Sequence, residues 1–338
     1  MVKEERRKER YLSLQIPSGN KVPNPSSTSH SPHHPTNMIM KTEVYKNRSI
    51  SGCIKTALLL FITHISAIFK ALWMPAVACS AILGTLLYCV GETFTTAKDL
   101  TTFPIHIAAL LVVSFACFIW FQASLLAYLN SLSKTTNLLK AAVIFLFHFL
   151  FVAFTATILY FSPKGVDFLA SLVPVNPIIK TVISGIIFIY LPLLIGLFYI
   201  TWIQPLHHYA MTQKEAFFIV IKQQYAAGLQ HIGFWMGVSF LAGLLYMLVQ
   251  WLIAMPINIL LLAKLQSLNG ELMGDPSGLP TYFNIMTWVV MVLVTFISLF
   301  AITWLHLVFY LAYGSIVTKM EGRKRIKQRY EQVKNSIN

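Results

Sequence analysis

Residues 284–314 read NIMTWVVMVLVTFISLFAITWLHLVFYLAYG, thirty-one positions without an Asp, Glu, Lys or Arg. An α-helix needs about 20 apolar residues to cross a hydrocarbon layer about 30 Å thick. In lipid the backbone polar groups must be satisfied within the segment, which a lone apolar run achieves only as a helix. This stretch is therefore a membrane-spanning helix.

Working outward, comparable runs occupy about 71–90, 103–128, 140–161, 180–204 and 233–262. The expected fold is all-α, a polytopic membrane helix bundle of six transmembrane helices plus one interfacial amphipathic helix. Three regions follow: residues 1–50 as a disordered cytoplasmic tail, 51–314 as the transmembrane domain and 315–338 as a basic cytoplasmic tail.

Composition agrees. Of 338 residues 56% are hydrophobic and 11% charged, against about a quarter charged in a soluble domain. The net charge of +14 does not point to nucleic acid, because the basic residues sit in tails and short loops. Membrane orientation accounts for them. With the N-terminus inside, segments 1–70, 129–140, 205–232 and 315–338 hold 22 of the 26 Lys and Arg, leaving Lys98, Lys164, Lys180 and Lys264 outside. That places both termini in the cytoplasm. Cys53, Cys79, Cys89 and Cys117 lack metal or redox spacing and read as small packing residues.

The first fifty residues differ from the rest. MVKEERRKERYL is too charged for a signal peptide, and the Pro-, Ser- and Asn-rich stretch after it has little to bury. Met38 and Met40 offer alternative starts. Residues 52–70 place Lys55, Thr56, Thr63, Ser66 and Lys70 within about a 100° sector of a helical wheel. The reading is a helix lying in the membrane interface, with its lysines toward the headgroups. Membrane lipids are the expected partners.

Small residues every fourth position allow two helices to approach closely. Ala76, Ser80 and Gly84 have this spacing in the first span, as do Gly233 and Gly237 in the fifth. WMPAVACSAILG at 73–84 also lines up with WMGVSFLAGLLY at 235–246, the signature of a weak internal repeat.

Chemistry is sparse. There is no phosphate-binding glycine loop, no HExxH and no GxSxG turn, and the carboxylates fall at span ends rather than at mid-membrane, where ion-coupled carriers place them. Gln122, His148 and His306 stand six to eight residues from the inner ends of their spans, roughly 9–12 Å deep. They are candidates either for polar bonding between helices, the favoured reading, or for lining a half-channel or holding a metal. No cofactor, metal site or catalytic residue follows.

The loop LQSLNGELMGDPSGLPTYF, at 265–283, resembles that of a family of bacterial six-span inner-membrane proteins with a Met-Gly-Asp-Pro loop between their last two spans. Carotene-cleaving oxygenase activity has been attributed to some members. That chemistry implies iron held by several histidines at one depth, a set this sequence lacks. The sequence alone favours a non-enzymatic scaffold, assembly or lipid-handling bundle. A transporter of a neutral or amphipathic solute stands second and a membrane oxygenase third.

Overall fold

The computed structural model describes residues 44–95, 105–130, 132–172, 177–212, 215–274 and 278–337. The tail before residue 44 with its alternative starts, and Asp275, Pro276 and Ser277 of the 265–283 loop, lie outside the described residues. Among the described residues the chain is all-α: α1 (Ile50–Thr63), α2 (Ile65–Thr95), α3 (Ile105–Leu129), α4 (Lys134–Leu172), α5 (Pro177–Met211), α6 (Phe217–Gln230), α7 (Ile232–Leu272) and α8 (Phe283–Ile337). Six of these, α2, α3, α4, α5, α7 and α8, are long and apolar enough to cross a membrane.

Neighbours in sequence are neighbours in space: α2 packs on α3, α3 on α4 and α4 on α5. The circuit continues from α5 to α7 and α8, and α8 closes it against α2. Six spans bring both ends of the described chain to one side, called the basal end, with α1 and α6. The last residue of α7, Leu272, and the first of α8, Phe283, mark the distal end.

The buried core lies toward the basal end. It joins Leu72, Ala76 and Cys79 of α2, Phe121 and Leu125 of α3, Trp235 and Val238 of α7, and Leu307 to Ile316 of α8. The distal halves of α4, α5 and α7 contribute no described residue to it. Phe154, Ile189, Ile259 and Leu262 point outward there. Such a surface is too large and continuous for a soluble monomer, and lipid is its natural solvent.

The helix expected over 52–70 is two helices. His64 interrupts it with φ −107° and ψ 17°, so the wheel drawn across it does not describe one face. Lys55 lies on α1 and Lys70 in the second turn of α2, both exposed. α1 buries Cys53, Ile54, Ala57 and Leu60 against α8, α7 and α2, and turns Leu58, Leu59 and Ile62 outward beside Lys55.

The same device recurs. α1 and α6 are each 14 residues long, and α6 meets α7 at His231 with φ −112° and ψ 18°. The correspondence runs from His64 to His231, five positions away from the Trp73–Trp235 alignment. Trp73 is exposed and Trp235 fully buried, whereas Ile68, the true counterpart of Trp235, is buried like it. The two units are not symmetric in the bundle, because α1 packs on α8 and α6 on α5.

The basic segment after Gly314 continues α8 as helix. At 55 residues the helix is about 82 Å long, far more than the bilayer requires. Burial ends at Ile316, and from Glu321 onward the described side chains are exposed apart from half-buried Lys324.

Candidate functional site: polar side chains at the basal end

The three polar residues expected at one depth do not bond to one another. Gln122 is half-buried and makes no hydrogen bond among the described residues. The Nδ1 of His148 lies 2.6 Å from the Ile144 carbonyl, and that of His306 lies 2.9 Å from the Ile302 carbonyl. Each ring is thus tied to its own helix.

His207 has the same local bond, its Nδ1 sitting 2.9 Å from the Ile203 carbonyl. The span expected to end at 204 runs on through Pro205 to Met211, so that α5 carries His207 and His208. The rings are packed among aromatics, His148 against Tyr199 and His207 against Trp235 and Phe309. Among the described residues, no three His, Cys, Asp or Glu form a set able to hold a metal ion.

The denser polar construction lies closer to the basal end and was not singled out from the sequence. Asn130 and Asn137 exchange amide hydrogen bonds of 2.8 and 3.0 Å, and Asn130 also donates to the Ala210 carbonyl at 3.1 Å. Buried Lys140 donates to the carbonyls of Tyr209, at 2.5 Å, and Thr212, and lies 4.9 Å over the Tyr209 ring. The last carbonyls of a helix lack partners within it, and its C-terminus attracts positive charge. Lys140 answers both needs at the end of α5.

From α8, Tyr310 donates to the Leu129 carbonyl at 3.0 Å, and the Tyr313 hydroxyl lies 2.8 Å from His208 Nδ1. Ser315 and the backbone of Arg48 bond reciprocally, at 2.9 and 3.0 Å. These contacts tie α3, α4, α5, α8 and the N-terminal segment into one platform. His231, at its edge, is held below the ordinary imidazole range by burial, aided by Arg323 and Lys319.

Polar bonding between helices also occurs farther from the basal end. Gln250 donates to the Tyr246 hydroxyl of its own helix at 2.6 Å and accepts from Ser298 of α8 at 3.0 Å, while nearer the distal end Trp288 of α8 donates to Thr85 of α2 at 2.9 Å. At the distal side Lys264 of α7 pairs with Glu92 of α2, both partly shielded. Membrane hydrogen bonds average about 0.6 kcal/mol. Gln250→Leu is therefore expected to lower the melting temperature in detergent measurably, and Gln122→Leu to leave it unchanged. Equal shifts in a thermal-melt assay would contradict this assignment.

The small residues divide. Ala76 and Ser80 are buried on α2, and a Cβ on Gly84 would meet the Val292 Cα at 2.8 Å. On α7, Gly237 abuts the Ile50 side chain, but a Cβ on Gly233 meets nothing within 4 Å. Gly233 is exposed and does not pack; Trp235 and Val238 carry the buried face of that turn. Gly228, not anticipated, lies against the Thr201 carbonyl.

The chain matches no protein-family model, no curated protein and no solved structure. The resemblance read from the Met-Gly-Asp-Pro loop therefore rests on that loop's residues alone.

Proposed function

We propose that this protein is a non-enzymatic scaffold of a bacterial cytoplasmic membrane, oriented with its basal end inward, that presents the end of α8 as a rigid basic arm. The continuity of α8 carries this reading. One helix runs from the distal turn through the core and onward to Ile337, and its shaft is fixed by Tyr310, Tyr313 and Ser315. A flexible tail would not need such an anchor. Most of the polar groups described within the bundle join helices or bond within a helix, as a structural role requires, with Gln122 doing neither. α1 and α6 support a lipid contact around the platform, because Leu59 and Phe218 are exposed near Lys55 and Lys222.

A chain ending at Met320 tests the reading. It is expected to accumulate in the membrane and to melt like the full chain, yet to fail to restore the phenotype of cells lacking the protein. Full restoration by the shortened chain would overturn the proposal.

Orientation has its own test. In a cysteine-free background, an impermeant thiol reagent added to intact cells is expected to label probes at Ser277 or Thr95. It is expected to miss Ser133, Thr212 and Lys334. Labelling at Lys334 would reverse the assignment.

A further inference from the structure

We infer that the α8 arm docks an acidic amphipathic helix of a partner protein along a stripe centred on Ile326 and Tyr330. The inference rests on the scaffold reading and names the partner's chemistry.

Ile326, Tyr330 and Val333 are exposed by 70%, 70% and 56%. Their spacing of four and three residues puts them on one face of the helix, as in the seam of two packed helices. A solvated helix end has no use for three large apolar side chains in line.

The flanks of that seam select the occupant. Lys327 and Arg329 border it, and residues 319–334 hold seven Lys or Arg against two Glu. The two acids make only loose pairs along the arm itself, Glu321 with Arg325 at 4.0 Å and Glu331 with Lys327 at 3.9 Å. Exposed pairs of this kind are weak and exchange readily.

A second copy of the chain would set basic flank against basic flank, which opposes pairing. The protein's own bilayer is out of reach of the unbroken helix: Tyr330 is 16 residues beyond Gly314, about 24 Å, against a screening length of about 8 Å. Nucleic acid would satisfy the charges and leave the apolar stripe in water. A helix with apolar seam residues and glutamate flanks satisfies both.

The test uses the full chain in detergent and a labelled 21-residue helical peptide carrying Leu at the seam and Glu at the flanks, followed by fluorescence anisotropy. Its counterpart with Lys for Glu is expected to bind at least tenfold more weakly. Ile326→Ser with Tyr330→Ser is expected to weaken the Glu peptide at least tenfold without altering the melting temperature, because both residues lie outside the core. Lys327→Glu with Arg329→Glu is expected to reverse the preference between the peptides.

Undiminished binding to the double Ser variant would overturn the inference, since charge alone would then suffice. So would tighter binding of duplex DNA, or of vesicles rich in anionic lipid, unaffected by the Ser substitutions. Failure of the Glu peptide to bind, with the chain ending at Met320 still inactive in cells, removes the acidic-helix partner but not the scaffold. Full activity of that shortened chain removes the scaffold whatever the peptide does.

Discussion

Gly84→Leu is expected to leave almost no folded protein in the membrane. At that position α2 rests on the backbone of α8, and even a lone Cβ would come within 2.8 Å of Val292 Cα and 3.0 Å of its nitrogen. Overpacking a core costs typically 1–3 kcal/mol when side chains can give way. Here the obstacle is main chain at the contact that closes the circuit of spans. The cost should exceed about 3 kcal/mol, a large share of the 5–15 kcal/mol that usually holds a domain folded. Gly84→Ala should fall between, with reduced yield and a lower melting temperature. Gly233→Leu supplies the contrast, since open space surrounds it, and its yield should match the unaltered chain. Equal yields for the two leucine variants, measured by fluorescence-detected size exclusion, would show that the α2–α8 contact is not so close.

The second large effect is expected at Lys140. Lys140→Met keeps most of the side chain's length and removes the donor shared by the Tyr209 and Thr212 carbonyls. A buried acceptor left without a partner costs about 1–3 kcal/mol, so losing both bonds should cost about 2–4 kcal/mol. Thr212 lies at the end of α5 and can recover a bond to water, which favours the lower figure. Lys140→Arg should retain part of the stability, since the guanidinium donates as well but is bulkier. A thermal melt in detergent distinguishes the three chains. A Met variant as stable as the original would mean that the lysine caps nothing of consequence.

What could be read beforehand follows from how far each interaction reaches along the chain. The six spans are statements about runs of 20 or more residues, and hydropathy reports these directly. Breaks are local. His64 leaves the apolar pattern on either side intact, so Lys55 and Lys70 fall in one sector of a wheel although they belong to different helices. The span read as ending at 204 errs in the opposite sense: α5 continues through Pro205 for another turn and a half and carries His207 with it.

The polar groups were harder, because depth is visible in a sequence and azimuth is not. His148 and His306 share a level and each bonds a carbonyl of its own helix, whereas the Gln122 side chain shares the level and finds no hydrogen-bond partner among the described residues. Lys140 reads as the charged edge of a span, since nothing in its neighbourhood reveals the carbonyls of Tyr209 and Thr212 some seventy positions later. Spacing four marked Gly233 and Gly84 alike, and only the facing helix tells them apart.

The bond between Arg48 and Ser315 joins residues 267 positions apart, and beside it Val44 lies against Gly314. Synthesis proceeds at roughly 5–20 residues per second, so the first partner waits between roughly ten seconds and a minute for the second. Throughout that interval Cys53, Ala57 and Leu60 lack α8, one of the surfaces that buries them. The bundle therefore matures from its end backward: the last helix to be made locks the first one into place. A nascent chain halted before residue 283 accordingly leaves uncovered the faces of α1 and α2 that α8 will bury.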